Sequence, residues 1–185
     1  LGSDLSISRI DAAAGTAAEV VPGPASSVRG LRWAAVSDSG AAVWVLTERG
    51  RVMRWSADVG WSELDLDDDP GVEAALRPGR DAVVVARESG ALTRVDQVGG
   101  RLEVSDLATG GGPLAELCVS GDGARIAAVL TDQLRSPVML WDAESGAELG
   151  RVVAAPGMRL RLAWSGADGL IAAATGAIGA AWHIS

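Results

Sequence analysis

A short mark recurs along the chain at steps of 45, 40, 46 and 41 residues. It reads Ile10-Asp11-Ala-Ala-Ala-Gly15, Trp55-Ser56-Ala-Asp-Val-Gly60, Val95-Asp96-Gln-Val-Gly-Gly100, Trp141-Asp142-Ala-Glu-Ser-Gly146 and a last, shorter Trp182-His183-Ile-Ser. A period near forty residues marks an array of one small unit, stacked because no single copy can bury its own apolar face.

A second mark precedes most copies of the first. Val36-Ser-Asp-Ser-Gly40, Leu76-Arg-Pro-Gly-Arg80, Val119-Ser-Gly-Asp-Gly123 and Trp164-Ser-Gly-Ala-Asp-Gly169 fall at steps of 40, 43 and 45 residues. Each is a polar, Gly-containing cluster between two apolar runs, the chemistry of a hairpin turn. Each unit therefore reads as strand a, turn, strand b, loop, strand c, turn, strand d. In the third repeat these are Leu114 to Val119, Arg125 to Leu130, Val138 to Trp141 and Glu148 to Val153.

The b runs are apolar without alternation, as in Ala82-Val-Val-Val-Ala86 and Ile126-Ala-Ala-Val-Leu130, which predicts strands covered on both faces. The d segments carry charge, as outer edges should. Small sheets in series, buried on both faces and edged by a polar strand, predict an all-β chain: a β-propeller of four-stranded antiparallel blades. A parallel β-helix is the other periodic solution, but its coils are shorter and lack this meander.

Composition narrows the function. The 185 residues carry 24 acidic and 16 basic groups, a net charge of −8. This argues against general affinity for nucleic acid or anionic membranes, which calls for a basic face. No apolar run reaches the ~18 residues of a membrane span, and no basic-then-apolar leader opens the sequence. All the basic residues are Arg, with 24 Gly and neither Phe nor Tyr, a composition that fits a GC-rich bacterial source. A cytoplasmic location is expected, with an extracytoplasmic one left open for a signal or anchor lying outside this segment.

Val119-Ser-Gly-Asp-Gly-Ala-Arg-Ile-Ala-Ala-Val129, followed by Val138-Met-Leu-Trp-Asp-Ala-Glu-Ser-Gly-Ala-Glu-Leu149, resembles a bacterial WD repeat. The resemblance rests on an SPDG-like a–b turn, a Trp-Asp pair ending strand c and a Gly-closed c–d turn. It is specific in the third repeat, moderate in the first and fourth, and weak in the second. It implies a non-catalytic scaffold for protein partners, a module of a larger bacterial signalling or regulatory protein.

There are departures from the pattern. Only Trp141-Asp142 is a full Trp-Asp pair, and the Gly-His dipeptide is missing. The His-to-Asp network of regular blades cannot form, so turn chemistry and apolar packing are expected to hold the blades together. Asp142-Ala-Glu-Ser-Gly146 is also similar to the Asp-x-x-x-Gly turn of quinoprotein dehydrogenase blades, without their docking Trp. Ala163-Trp-Ser-Gly-Ala-Asp-Gly-Leu170 is similar to turns in the propellers of actinobacterial extracytoplasmic lipoproteins. A ligand- or sugar-binding propeller, or a quinoprotein-like enzyme, therefore stands as the alternative.

The strand tally is about seventeen under the four-strand rule, about four blades' worth. Residues 1–27 read as the end of one blade, 28–66, 67–109 and 110–155 as whole blades, and 156–185 as the start of the last. Partial blades at both ends suggest a section of a larger ring of about six to eight blades rather than a closed four-blade unit. Such a section would expose apolar edges and self-associate.

No catalytic or metal constellation stands out, and no cofactor is expected. Cys118 reads as a small buried hydrophobe and His183 as a turn-side polar group. Asp65-Leu-Asp-Asp-Asp-Pro70 matches no calcium loop and reads as a solvated connector. Trp33, Trp55, Trp141, Trp164 and Trp182 occupy repeated slots and are expected in the core, whereas Trp61 is expected to be exposed. What remains is a rim of b–c and d–a loops holding Arg29, Glu48, Arg49, Asp67, Asp68, Asp69, Arg87, Glu88, Asp132, Arg135 and Arg159. Arg beside carboxylates there suits specific protein contacts.

Overall fold

The structure, a computed structural model, describes residues 7–11, 16–21, 23–24, 28, 30–131, 137–153, 159–165, 169–175 and 180–184; at 7–11, 16–21, 159, 171–175 and 180–184 it describes the backbone alone. Seventeen strands and no helix are found among the described residues. They are β1 (Ile7–Asp11), β2 (Thr16–Val21), β3 (Leu31–Val36), β4 (Ala42–Thr47), β5 (Val52–Ser56), β6 (Gly60–Leu64), β7 (Gly71–Leu76), β8 (Ala82–Arg87) and β9 (Ala91–Val98), then β10 (Arg101–Thr109), β11 (Leu114–Val119), β12 (Arg125–Leu130), β13 (Val138–Asp142), β14 (Glu148–Val152), β15 (Arg159–Ser165), β16 (Gly169–Thr175) and β17 (Ala180–Ile184).

Every pairing is antiparallel between chain neighbours. Three four-stranded sheets, β3–β6, β7–β10 and β11–β14, sit between the pair β1–β2 and the three-stranded β15–β17. The a strands β3, β7, β11 and β15 lie side by side, each against the next, as blades around an axis require. No strand pairing among the described residues joins β1–β2 to β15–β17.

The b strands show why their runs lack alternation. Val84 and Ala86 of β8 join one core with Ile126 and Ala128 of β12, while Val83 and Val85 of β8 join another with Trp44 and Leu46 of β4. Ala127 and Val129 of β12 then pack with Leu160 and Leu170 of the last sheet. Alternate residues thus feed the cores on the two sides of a blade, so every position must be apolar. The outer strands β10 and β14 are mostly exposed.

The hairpin turns follow their sequences. Ser120 Oγ accepts the Arg125 N–H at 2.9 Å and donates to Asp122, whose carboxylate accepts the Ala124 N–H at 3.0 Å. Asp142 Oδ1 accepts from the Glu144 and Ser145 N–H groups at 3.1 and 2.8 Å, and Gly146 closes the turn at φ 71°. This carboxylate is the Asp of the Trp-Asp pair, and its partner Trp141 is buried in the core. Trp61, expected to be exposed, is half-buried against the Val28, Val45 and Met53 cluster, because it stands directly opposite Trp55 across the β5–β6 ladder.

Candidate partner-binding rim

At one end of the sheets, the b–c turns and d–a connectors are bound to each other through the backbone. Gly71 N–H donates to Gly50 O, Glu88 N–H to Pro70 O, Gly110 N–H to Gly90 O and Thr131 N–H to Pro113 O. Each connector is therefore registered against a turn, and the side chains projecting from both belong to one fixed edge. Thr47-Glu48-Arg49-Gly50 and Arg87-Glu88-Ser89-Gly90 are equivalent turns, each with Gly at φ above +70°. Gly50 could not be replaced freely, since a Cβ there would strike Pro70 of the connector.

The rim residues expected from sequence separate into three groups. Glu48, Arg49, Asp67, Asp68 and Glu88 are exposed at turn tips or in the connector. Asp69 and Arg87 hold the rim together: the Asp69 carboxylate accepts from Ser89 N–H at 2.9 Å and Ser89 Oγ–H at 2.6 Å, and Arg87 donates to Leu66 O at 3.3 Å and to Thr93 Oγ1 at 3.5 Å. Arg29, Asp132 and Arg135 lie outside the described residues; so does the side chain of Arg159, whose backbone opens β15. Beside Asp69 and Arg87 opens a cavity of about 450 Å³ that Leu92, Asp106, Leu107 and Thr109 also line. Asp65 of the acidic run is drawn back to Arg51 at 3.0 Å.

The a strands carry charge that their apolar appearance conceals. Arg32 reaches Val72 O of the next blade at 3.4 Å, and Arg161 pairs with Glu116 of the previous one at 2.7 Å. Glu116 sits in a β-bulge with φ 55°, where the ladder slips between Ala115 and Cys118. Burial pushes the half-buried Glu73 carboxyl above its usual value, and the Glu116 charge adds to this against the opposing pull of Arg32 and Arg161.

The blades are not held by turns and apolar packing alone, as the missing His implied. Arg54 of β5 is buried and donates through Nε to Asp81 Oδ1 of the next blade at 3.0 Å, with a second bond from Nη2 to Oδ2. The same carboxylate accepts the Trp44 indole N–H at 3.1 Å. One blade further on, Arg77 donates to Gly123 O at 3.0 Å and to Glu144 at 2.7 Å, while Arg94 reaches Glu144 at 3.4 Å. Guanidinium–carboxylate latches thus span two successive blade boundaries. The sequence held one signal for them: Arg54 and Arg94 occupy the same slot of strands otherwise read as core.

Among the described residues no three His, Cys, Asp or Glu side chains converge on a point that could hold a metal, and no helix is long and apolar enough to cross a membrane. Burial pushes the Cys118 thiol up to about 12, against an opposing pull from the Trp164 indole.

No family model matches the chain, and no curated protein matches it in sequence. Solved structures do. One from "Crystal Structure of Mitotic Checkpoint Complex" superposes with a TM-score of 0.69 at 15% identity, over 91% of this chain and 51% of its own. Another, of Kuenenia stuttgartiensis hydrazine synthase, has a TM-score of 0.69 at 16% identity, over 91% of this chain and 49% of its own. The Cps50 (Swd1) β-propeller domain of Myceliophteria thermophila has a TM-score of 0.65 at 16% identity, over 94% of this chain and 61% of its own. The chain has the β-propeller fold, and it spans about half to three-fifths of the length of these structures.

Proposed function

We propose that the chain is a non-catalytic interaction scaffold, a cytoplasmic module of a larger bacterial signalling or regulatory protein that holds protein partners on the b–c and d–a rim. The observation that carries this reading is the registered edge itself. Glu48, Arg49, Asp67, Asp68 and Glu88 project from turns whose backbones are bound to their neighbours, so little conformational entropy is left to lose when a partner docks. Mixed Arg and carboxylate tips favour selective contacts over broad adhesion. One histidine and one cysteine in the whole chain, the latter with its thiol pushed up to about 12, offer little nucleophilic or acid–base chemistry.

The test is a cross-linked pull-down with the full-length protein, comparing wild type with a Glu48→Arg, Arg49→Glu, Asp68→Arg variant. These side chains are exposed, so folding should be unchanged in circular dichroism. Selective loss of partners from the variant is expected. An identical partner set for both proteins would place the binding surface elsewhere.

A further inference from the structure

At the opposite end of the sheets, where the a–b and c–d turns gather, a cavity of about 410 Å³ lies between the second and third whole blades. Arg77, Arg80 and Arg94 line it, with Asp96, Glu103 and Glu144. Leaving Glu144 aside, three guanidiniums face two carboxylates there, a local excess of positive charge in a chain of net charge −8.

Two of the three arginines are held in place before any ligand arrives. Arg77, with its side chain 7% exposed, has Nε bound to Gly123 O at 3.0 Å, and Arg94 has Nε bound to Asp96 at 2.8 Å. Each therefore spends one N–H on its own scaffold and turns a terminal N–H toward the cavity. Both meet a single carboxylate there: Glu144 Oε2 takes Arg77 Nη2 at 2.7 Å and Glu144 Oε1 takes Arg94 Nη1 at 3.4 Å. The Glu144 side chain is 64% exposed and comes from a turn tip, so it can swing out without disturbing the core. Arg80 is exposed and makes no side-chain hydrogen bond or ion pair among the described residues, although its charge acts on Glu144.

We propose that this cavity binds a phosphoryl group, with Glu144 as the internal anion that the ligand displaces. The chemistry that favours phosphate over another carboxylate is the count of donors. Glu144 offers two oxygens and one charge to three guanidiniums, whereas a phosphoryl group offers three acceptor oxygens and a charge near −2. Arg is the side chain whose planar fork matches such an oxyanion, and fixed forks lose little entropy on binding. Asp96 stays engaged with Arg94, and Glu103 opposes the ligand, which makes the affinity modest and salt-sensitive. This site is separate from the rim proposed above and does not depend on it.

The experiment follows the arginine Nε–Hε signals of the full-length protein by nuclear magnetic resonance at low salt. One arm adds inorganic phosphate, and a second adds a phosphoserine peptide beside its unphosphorylated twin. Saturable shifts of Arg77 and Arg94 with phosphate are expected, weakened about tenfold in Arg80→Ala and strengthened severalfold in Glu144→Gln. Shifts with the phosphopeptide and none with the twin identify a peptide source, and shifts with phosphate alone identify a free small anion. Either result supports the site. Absence of saturation by inorganic phosphate, equal binding of both peptides, or unchanged affinity in Arg80→Ala overturns it; exposed Arg80 carries no fold contact that would confuse the last result.

Discussion

Arg54 and Asp81 meet across a blade boundary, the arginine 6% exposed and the carboxylate shared with the Trp44 indole. Removing Asp81 leaves a buried cation and a buried indole N–H short of an acceptor. Loss of one partner of a fully buried pair costs about 3–5 kcal/mol, but Asp81 is 41% exposed and water screens part of this, so Asp81→Ala should cost about 1–3 kcal/mol. A urea titration measures it. The double variant Arg54→Met, Asp81→Ala should regain part of the loss, because the uncompensated charge is gone. A double variant as unstable as the sum of the two single ones would show that Arg54 acts by packing alone.

Gly60 and Gly146 hold the same turn slot with φ of 80° and 71°, yet substitution should separate them. A Cβ at Gly60 meets nothing, so Gly60→Ala should cost only the left-handed backbone penalty of about 1–2 kcal/mol. A Cβ at Gly146 would strike the Leu107 carbonyl of the neighbouring blade, which is backbone on β10 and cannot yield cheaply. Gly146→Ala should therefore cost at least about twice as much, seen as a clearly lower thermal midpoint. Equal midpoints for the two variants would mean that the blades shift apart easily.

The same contrast explains how much of the molecule could be read from sequence. Ser120-Gly-Asp-Gly123 and Trp141-Asp142 were legible because their bonds close within five residues. The apolar runs of β8 and β12 were legible because burial on both faces dictates every position. The second repeat looked weak because Arg77 stands where Ser37 and Ser120 cap their turns. Its turn keeps the backbone bond from Arg80 N–H to Arg77 O but takes its side-chain acceptor from outside, with Gly79 N–H donating to Asp38 of the blade before. Arg54 finds Asp81 27 residues away and Arg77 finds Glu144 67 residues away, distances at which no local pattern links the partners. The exposed half of the rim could be placed from turn chemistry, whereas the structural duty of Asp69 and Arg87 depended on contacts with Ser89 and Leu66.

Stability should respond to pH from two sides. Hydrogen bonds from the Ser145 N–H and hydroxyl hold the Asp142 carboxyl below 3.8, and the bond from Ser120 does the same for Asp122. A folded pKa below the unfolded one means fewer protons bound when folded, so this stability is present above about 3.8 and is lost as pH falls through the lower folded values. Glu73 runs the other way, because its folded pKa lies above 4.5. The folded state then binds more protons, and stability declines as pH rises from 4.5 through the folded value. Asp142→Asn should flatten the acid limb of a urea-midpoint profile, and Glu73→Gln should raise the midpoint at pH 7 while leaving it nearly unchanged at pH 4. A Glu73→Gln midpoint lowered at pH 7 would mean that the Arg32 and Arg161 charges outweigh burial.

Cys118 should be inert while the fold is intact. Its thiol is pushed up to about 12 by burial between β11 and the last blade, where Trp164 packs beside it. The thiolate is the reactive species, so at pH 8 a chromogenic disulfide reagent should modify the folded protein at least about a hundredfold more slowly than the urea-unfolded chain. The Trp164→Ala variant opens one wall of that site and should bring the folded rate up toward the unfolded one. Equal rates for wild type folded and unfolded would mean that β15 detaches from β11 on the timescale of the reaction, and the boundary between the last two blades would then be the weakest in the array.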